Sequence, residues 1–144
     1  CCRFALECLE DVLAEAGPER TMIRISPARF MGGPYDWPDK DEMVDYLIGA
    51  LDGRGLRMLD ISCANADYFQ TSGPVIRSVR PRWKHVLIGG ASLAADDAEN
   101  ELREGNLDMV TWARAIIANP DFVTRLKAGE ALVPFEREAL GRLY

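Results

Sequence analysis

Apolar residues along the 144-residue chain follow two alternating spacings, one typical of amphipathic helices and one typical of buried strands. In residues 4–16 they recur every three or four positions, which predicts a helix that Gly17 and Pro18 end. Residues 21–26 form a short, β-branched run before a proline, which predicts a strand. The chain is therefore expected to begin with a helix and then a strand.

The same two spacings continue toward the C-terminal end. Asp39, with Glu42 three residues on, introduces a helical face that Gly53 closes. Asn119 followed by Pro120 predicts the start of the last helix, because asparagine is a good N-cap and proline suits the first helical position. The remaining predictions are strands over 56–62, 86–88 and 107–112, and helices over 43–51, 74–79, 93–102 and 119–129.

The predicted order is one helix followed by four strand–helix units. This alternation indicates the α/β class, with parallel strands joined by right-handed crossovers. No linker divides residues 1–144, so we expect a single domain. A closed (β/α)8 barrel typically needs roughly 250 residues. The chain is therefore expected to form either half of such a barrel or a small open parallel sheet.

Composition excludes several classes of function. The 17 basic and 23 acidic residues give a net charge of −6, which argues against a surface built for nucleic acid. No apolar run approaches the roughly 20 residues that span a bilayer, and no leader peptide is recognisable, so we expect a soluble, cytoplasmic protein. The four cysteines show no C-x-x-C spacing and the sequence has a single histidine, so a zinc site is poorly supported. We expect reduced thiols at Cys1, Cys2, Cys8 and Cys63.

Arg24 is the most informative residue of the first strand. Ligands in parallel α/β structures bind beyond the carboxyl ends of the strands. Alternation along the strand places Arg24 and Ser26 on the face opposite two isoleucines, which should meet the helices. A guanidinium on the inner face needs an acceptor. Two interpretations remain open: a salt bridge to Asp60 on the adjoining strand, or contact with an anionic or electron-rich ligand.

Two later strand ends predict a phosphate site. Gly89 and Gly90 follow an apolar strand, where glycines allow close approach and expose amide groups; the same pair is also an ordinary strand-to-helix turn. Ala113 and Arg114 end the fourth strand, where barrels frequently bind phosphate, although an arginine can simply cover a strand end. The two sites together are a more specific signal than either alone.

Several blocks resemble consecutive motifs of the Old Yellow Enzyme family of flavin oxidoreductases, in the right order and over nearly the whole chain. The most specific is the run from Val110 to Asp121, in which a strand ending in a small residue and Arg precedes Asn-Pro-Asp. The other blocks are Arg3-Phe4, Ile23-Arg24-Ile25-Ser26-Pro27 and Leu87-Ile88-Gly89-Gly90. The resemblance implies the C-terminal half of an FMN-binding (β/α)8 barrel.

The resemblance also implies roles for individual residues. Arg24 would contact the pyrimidine edge of the flavin, and the phosphate cradle would comprise Gly89, Gly90, Ala113 and Arg114. The family usually has glycine where this chain has Ala113, which is acceptable only if φ is negative there. The complete enzyme would pass hydride from NAD(P)H through FMN to an activated alkene.

The resemblance further implies that the substrate-anchoring pair and the proton-donating tyrosine of the family lie before this chain begins. His85 precedes the third strand at the opposite end and cannot replace them. We therefore expect the chain alone to be incomplete as an ene-reductase. An alternative is a non-catalytic half-barrel that self-associates or pairs with a complementary half. Another barrel chemistry, such as an aldolase, is disfavoured because no lysine falls on the inner face.

Overall fold

A computed structural model of the chain describes residues 2–28, 37–63 and 66–142. Cys1, Ala64 and most of the loop expected after the first strand lie outside the described residues. The elements in chain order are α1 (Arg3–Ala16), β1 (Met22–Ile25), α2 (Lys40–Gly53), β2 (Met58–Ser62), α3 (Ser72–Val79), β3 (Val86–Gly90), α4 (Ala95–Arg103), β4 (Met109–Val110), α5 (Arg114–Ala118), α6 (Phe122–Ala128) and a final 3-10 helix (Arg137–Arg142).

The four strands form one parallel sheet in the order β1-β2-β3-β4, with helices in the connections. The predicted α/β class and the half-barrel arrangement of strand–helix units are confirmed. The register places Arg24 beside Asp60, and Ser62 beside Gly90. The register thus brings candidate site residues from different parts of the chain to the same end of the sheet.

The two faces of the sheet have different surroundings. On one face Leu59, Ile61 and Leu87 are fully buried in the main hydrophobic core. On the other face, Met22 of β1 and Met109 of β4 remain about half exposed, at 47% and 54%. The alternation of side chains along each strand produces this division, and the helix-facing side contains the core.

Two elements near the C-terminal end differ from the sequence predictions, and one predicted cap lacks its hydrogen bond. The fourth strand is only Met109–Val110, because β4 is an edge of the described sheet and pairs with β3 alone. A short helix, α5, occupies residues for which the sequence predicted no element. Asp39 is at the N-cap of α2 as predicted, but its side chain makes no capping hydrogen bond there.

The prediction that Asn119 caps the last helix is wrong. Helix α6 begins at Phe122 with Asp121 at its N-cap, and the Asn119 side chain is 1% exposed. Its Nδ2 group donates to the carbonyls of Ala115 at 2.9 Å and Val133 at 3.0 Å, and its Oδ1 accepts from the Val133 N–H at 2.8 Å. Asparagine can satisfy both a donor and an acceptor at once, so it joins α5 to the segment after α6.

Within the described residues, the helices are all too short or too polar to cross a membrane.

Candidate functional site

A cleft of about 800 Å³ lies at the carboxyl ends of the strands, a size typical of small-molecule sites. One side of it is polar and includes Arg24, Ser62 and Arg114. An apolar segment of residues 132–135 forms another wall of the cleft. A ligand suited to this cleft would have an apolar part and at least one group that pairs with arginine.

Arg24 is paired with Asp60 across the first two strands. Its Nε donates to Asp60 Oδ2 at 2.7 Å, and its Nη2 lies 2.6 Å from the same oxygen. The Asp60 side chain is fully buried, whereas 57% of the Arg24 side chain is exposed. The salt bridge that the sequence left open is therefore present, and the exposed part of the guanidinium still lines the cleft.

A series of hydrogen bonds continues from Asp60 across the sheet to Thr111, the residue that follows β4. Ser62 Oγ donates to Asp60 Oδ1 at 2.5 Å and lies 3.1 Å from Thr111 Oγ1. A serine hydroxyl has a single proton, and here Asp60 accepts it. Thr111 must therefore be the donor in the Ser62–Thr111 contact.

Gly90 makes this contact across β3 possible. A Cβ atom at Gly90 would lie 2.4 Å from the carbonyl oxygen of Thr111 and 2.6 Å from its Oγ1. At Gly89 the added atom would instead meet the side chains of Ile76 and Leu107, at 2.6 and 2.9 Å. Gly90 therefore lines the cleft, whereas Gly89 faces the helix-side core.

Ala113 and Arg114 lie together at the other end of the cleft. Ala113 has φ −111°, so the negative value that alanine requires is met. Arg114 Nη2 donates to the hydroxyl of Ser92, which follows β3, and Arg114 forms no ion pair with a described residue. Arg114 thus adds a positive charge to the cleft that no described carboxylate neutralises.

Two buried residues outside the predicted set hold the walls of the cleft. Ser72, at the start of α3, accepts from the Cys63 N–H at 3.1 Å and donates to the Gly90 carbonyl at 2.9 Å. Asn119 forms two hydrogen bonds with the backbone of Val133, and these fix the apolar segment 132–135 that lines the cleft. No sequence signal identifies Ser72, since serine at a helix start is common. The Asn-Pro pair drew attention to Asn119 but suggested a different role.

Of the five cofactor-binding residues predicted from the sequence, four lie around the cleft: Arg24, Gly90, Ala113 and Arg114. Gly89 does not line it. No group of histidine, cysteine or acidic side chains among the described residues could hold a metal ion.

Comparison with known proteins shows the family of the chain. Residues 1–132 match the family model described as the NADH:flavin oxidoreductase / NADH oxidase family. The chain belongs to this family. Its members bind FMN and use NADH or NADPH as the reductant.

Individual relatives belong to the same group of flavin oxidoreductases. A probable flavin mononucleotide-dependent alkene reductase of Leishmania infantum is 30% identical over 131 residues, which are 91% of this chain and 35% of the relative. The solved structure of morphinone reductase is 31% identical, with a TM-score of 0.79 over 96% of this chain and 37% of that one. The old yellow enzyme from Trypanosoma cruzi is 25% identical with a TM-score of 0.80, over 96% and 36%. The chain thus spans about a third of these relatives.

The residues of the cleft fit a flavin mononucleotide. Arg114, which pairs with no carboxylate of the described residues, supplies a cation for a phosphate, and Gly90 allows a close backbone approach in the same cleft. The wall of residues 132–135 supplies apolar surface, and Arg24 supplies a hydrogen-bond donor at the other side. The donor set therefore matches both the charged and the uncharged ends of such a molecule.

Proposed function

We propose that this chain forms the FMN-binding surface of an NAD(P)H-dependent flavin oxidoreductase of the ene-reductase type. The observation that carries the proposal is the charge of Arg114, which no carboxylate among the described residues neutralises, in the same cleft as the paired Arg24 and the apolar segment 132–135. When bound, FMN would supply hydride transfer between NAD(P)H and an activated alkene. Arg24, Gly90, Ala113 and Arg114 would hold it. Gly89 would contribute only through packing against the helix-side core.

The chain's own residues would orient the cofactor and limit its contact with water. Arg114, hydrogen-bonded to Ser92, would bind the phosphate, and the amide group of Ala113 would add a donor. Arg24 is held in place by Asp60 and would donate a hydrogen bond to an oxygen or nitrogen of the ring. The segment held by Asn119 would cover one side of the ring system.

Titration with FMN, followed by flavin fluorescence and absorbance, tests the proposal. We expect saturable binding to the parent chain and a loss of about tenfold to a hundredfold in affinity in Arg114→Ala, since charge-assisted hydrogen bonds contribute roughly 1.5–3 kcal/mol. Arg103→Ala is a matched control, because Arg103 is an exposed α4 arginine paired only with residues of its own helix. Equal affinities in the two variants, or no binding to the parent chain, would contradict the proposal.

A second candidate function is a half-barrel module that pairs with a complementary half or with a second copy. The half-exposed Met22 and Met109 on the inner face, together with the β1 and β4 edges of the described sheet, favour it. Sedimentation velocity over a range of concentrations tests self-association. The substitution Met109→Asp should weaken a dimer. A chain that stays monomeric at every concentration would contradict self-association.

A further inference from the structure

The two arginines of the cleft differ in how their charge is balanced. Arg24 directs two of its nitrogen atoms to a single oxygen of Asp60, a carboxylate with no exposed surface. Arg114 reaches only a neutral hydroxyl, and the described residues offer it no carboxylate. Both side chains border the same cleft, so a ligand meets two guanidinium groups with different net charge around them.

Asp60 is also the acceptor at the end of a directed chain of hydrogen bonds. Arg24 donates from one side, and Ser62 donates from the other with Thr111 behind it. The hydroxyl proton of Thr111 is already donated to Ser62, so toward a ligand the Thr111 oxygen can act only as an acceptor. The Nη1 group of Arg24 makes no hydrogen bond to a described residue and is left as a donor.

We infer that Asp60 is a positioning residue that makes the Arg24 end of the cleft a neutral hydrogen-bonding subsite and restricts anion binding to the Arg114 end. The buried carboxylate offsets the Arg24 charge at a distance of less than 3 Å, and solvent screens the pair only from the Arg24 side because Asp60 has no exposed surface. Arg24 and Thr111 then present a donor and an acceptor to an uncharged polar edge. The inference deepens the proposed function, since it gives the orientation in which a phosphate-bearing ring would enter.

Inorganic phosphate provides a test that does not depend on flavin. It would be titrated into ¹⁵N-labelled chain, and the arginine Nε–H resonances followed by NMR. In the parent chain we expect the Arg114 resonance to move and that of Arg24 to stay. In Asp60→Asn, which keeps the shape but removes the charge, phosphate should bind at Arg24 at least about tenfold more tightly.

Asp45→Asn is the matched control, because it removes the same charge from an exposed carboxylate that pairs with Arg82 away from the cleft. Phosphate should still avoid Arg24 in this variant. The inference would be overturned if phosphate moved the Arg24 resonance of the parent chain with the affinity seen at Arg114. It would also be overturned if Asp60→Asn bound phosphate no better at Arg24. If Asp60→Asn does not fold, the parent measurement alone can still overturn the inference.

A second measurement joins the inference to the proposed function. Reduced FMN carries more negative charge than oxidised FMN, so Asp60→Asn should favour the reduced form by about tenfold, an upward shift of ~30 mV in midpoint potential. An unchanged or lower potential would overturn the inference. If the parent chain binds no FMN, the proposed function fails, and the phosphate titration alone decides the role of Asp60.

Discussion

The two faces of the sheet contain the same kind of feature, a buried carboxylate paired with arginine, in different settings. On the helix side, Glu101 of α4 accepts from the Tyr68 hydroxyl at 2.6 Å and from Arg77 at 2.5 Å. On the inner side, Asp60 accepts from Arg24 and Ser62, which both line the cleft. The donors to Glu101 connect α4 to α3 and to the loop that precedes α3. The donors to Asp60, in contrast, also line the candidate cleft.

This comparison shows that burial of a carboxylate does not by itself indicate function. Removing one partner of a buried pair is costly in either setting, because the remaining charge loses its compensation. The difference lies in whether the paired groups border a cleft. Substitutions on the helix side should therefore change stability alone, and those on the inner side should change ligand binding as well.

The largest expected effect is on the core beneath the sheet. Leu59→Ala removes a fully buried side chain and should lower the free energy of unfolding by about 3 kcal/mol, within the range typical of such cavities. Met22→Ala, on the half-exposed inner face, should cost less than about 1 kcal/mol. Urea denaturation of both variants measures the difference. Equal losses would show that the inner face is packed as tightly as the core.

The glycine pair distinguishes the two faces at a single strand end. Gly90→Ala should cost about 2–3 kcal/mol, because its Cβ would meet backbone atoms of Thr111 that cannot rotate away. Gly89→Ala should cost less, since it meets the flexible ends of Ile76 and Leu107. Thermal unfolding compares the two variants, and FMN titration should show a binding defect mainly in Gly90→Ala. A larger stability loss at Gly89 would contradict this order.

Asn119 links stability to the apolar wall of the cleft. Asn119→Ala removes three hydrogen bonds to backbone groups and should cost about 2 kcal/mol. Asn119→Asp keeps only the acceptor for the Val133 N–H, so we expect it to recover little of the loss. Limited proteolysis after residue 129 should be faster in both variants. Cleavage at the parental rate would show that the wall is held by other contacts.

The smallest effect concerns Tyr68 on the helix side. Burial and then the hydrogen bond to Glu101 raise the pKa of the Tyr68 phenol far above its usual value near 10. Above pH 10 the unfolded chain releases this proton while the folded chain retains it, so stability should fall as pH rises. Tyr68→Phe should cost about 1 kcal/mol at neutral pH and flatten that alkaline decline. An unchanged slope in urea unfolding from pH 9 to 11 would exclude Tyr68 as its cause.

The sequence by itself determined the class of the fold, and it predicted the end of the sheet at which the candidate site lies. Helical and strand spacings are local properties, and they predicted four parallel strand–helix units and placed Arg24 and Arg114 at strand ends. The family motifs were readable for the same reason, since they are short continuous runs such as the one ending in Asn119-Pro120-Asp121.

Only the tertiary structure decided which groups act together. Arg24 and Asp60 are 36 residues apart, and Ser62 and Thr111 are 49 apart, so their pairing depends on strand register and not on any local pattern. Strand alternation alone places Gly89 and Gly90 on opposite faces, but the groups that each one meets depend on the fold. The path of the chain after α6 brings Val133 to Asn119, so this residue holds a distant segment and does not cap the last helix. Side-chain direction is encoded locally, but the partner that side chain meets is set by contacts across the whole fold.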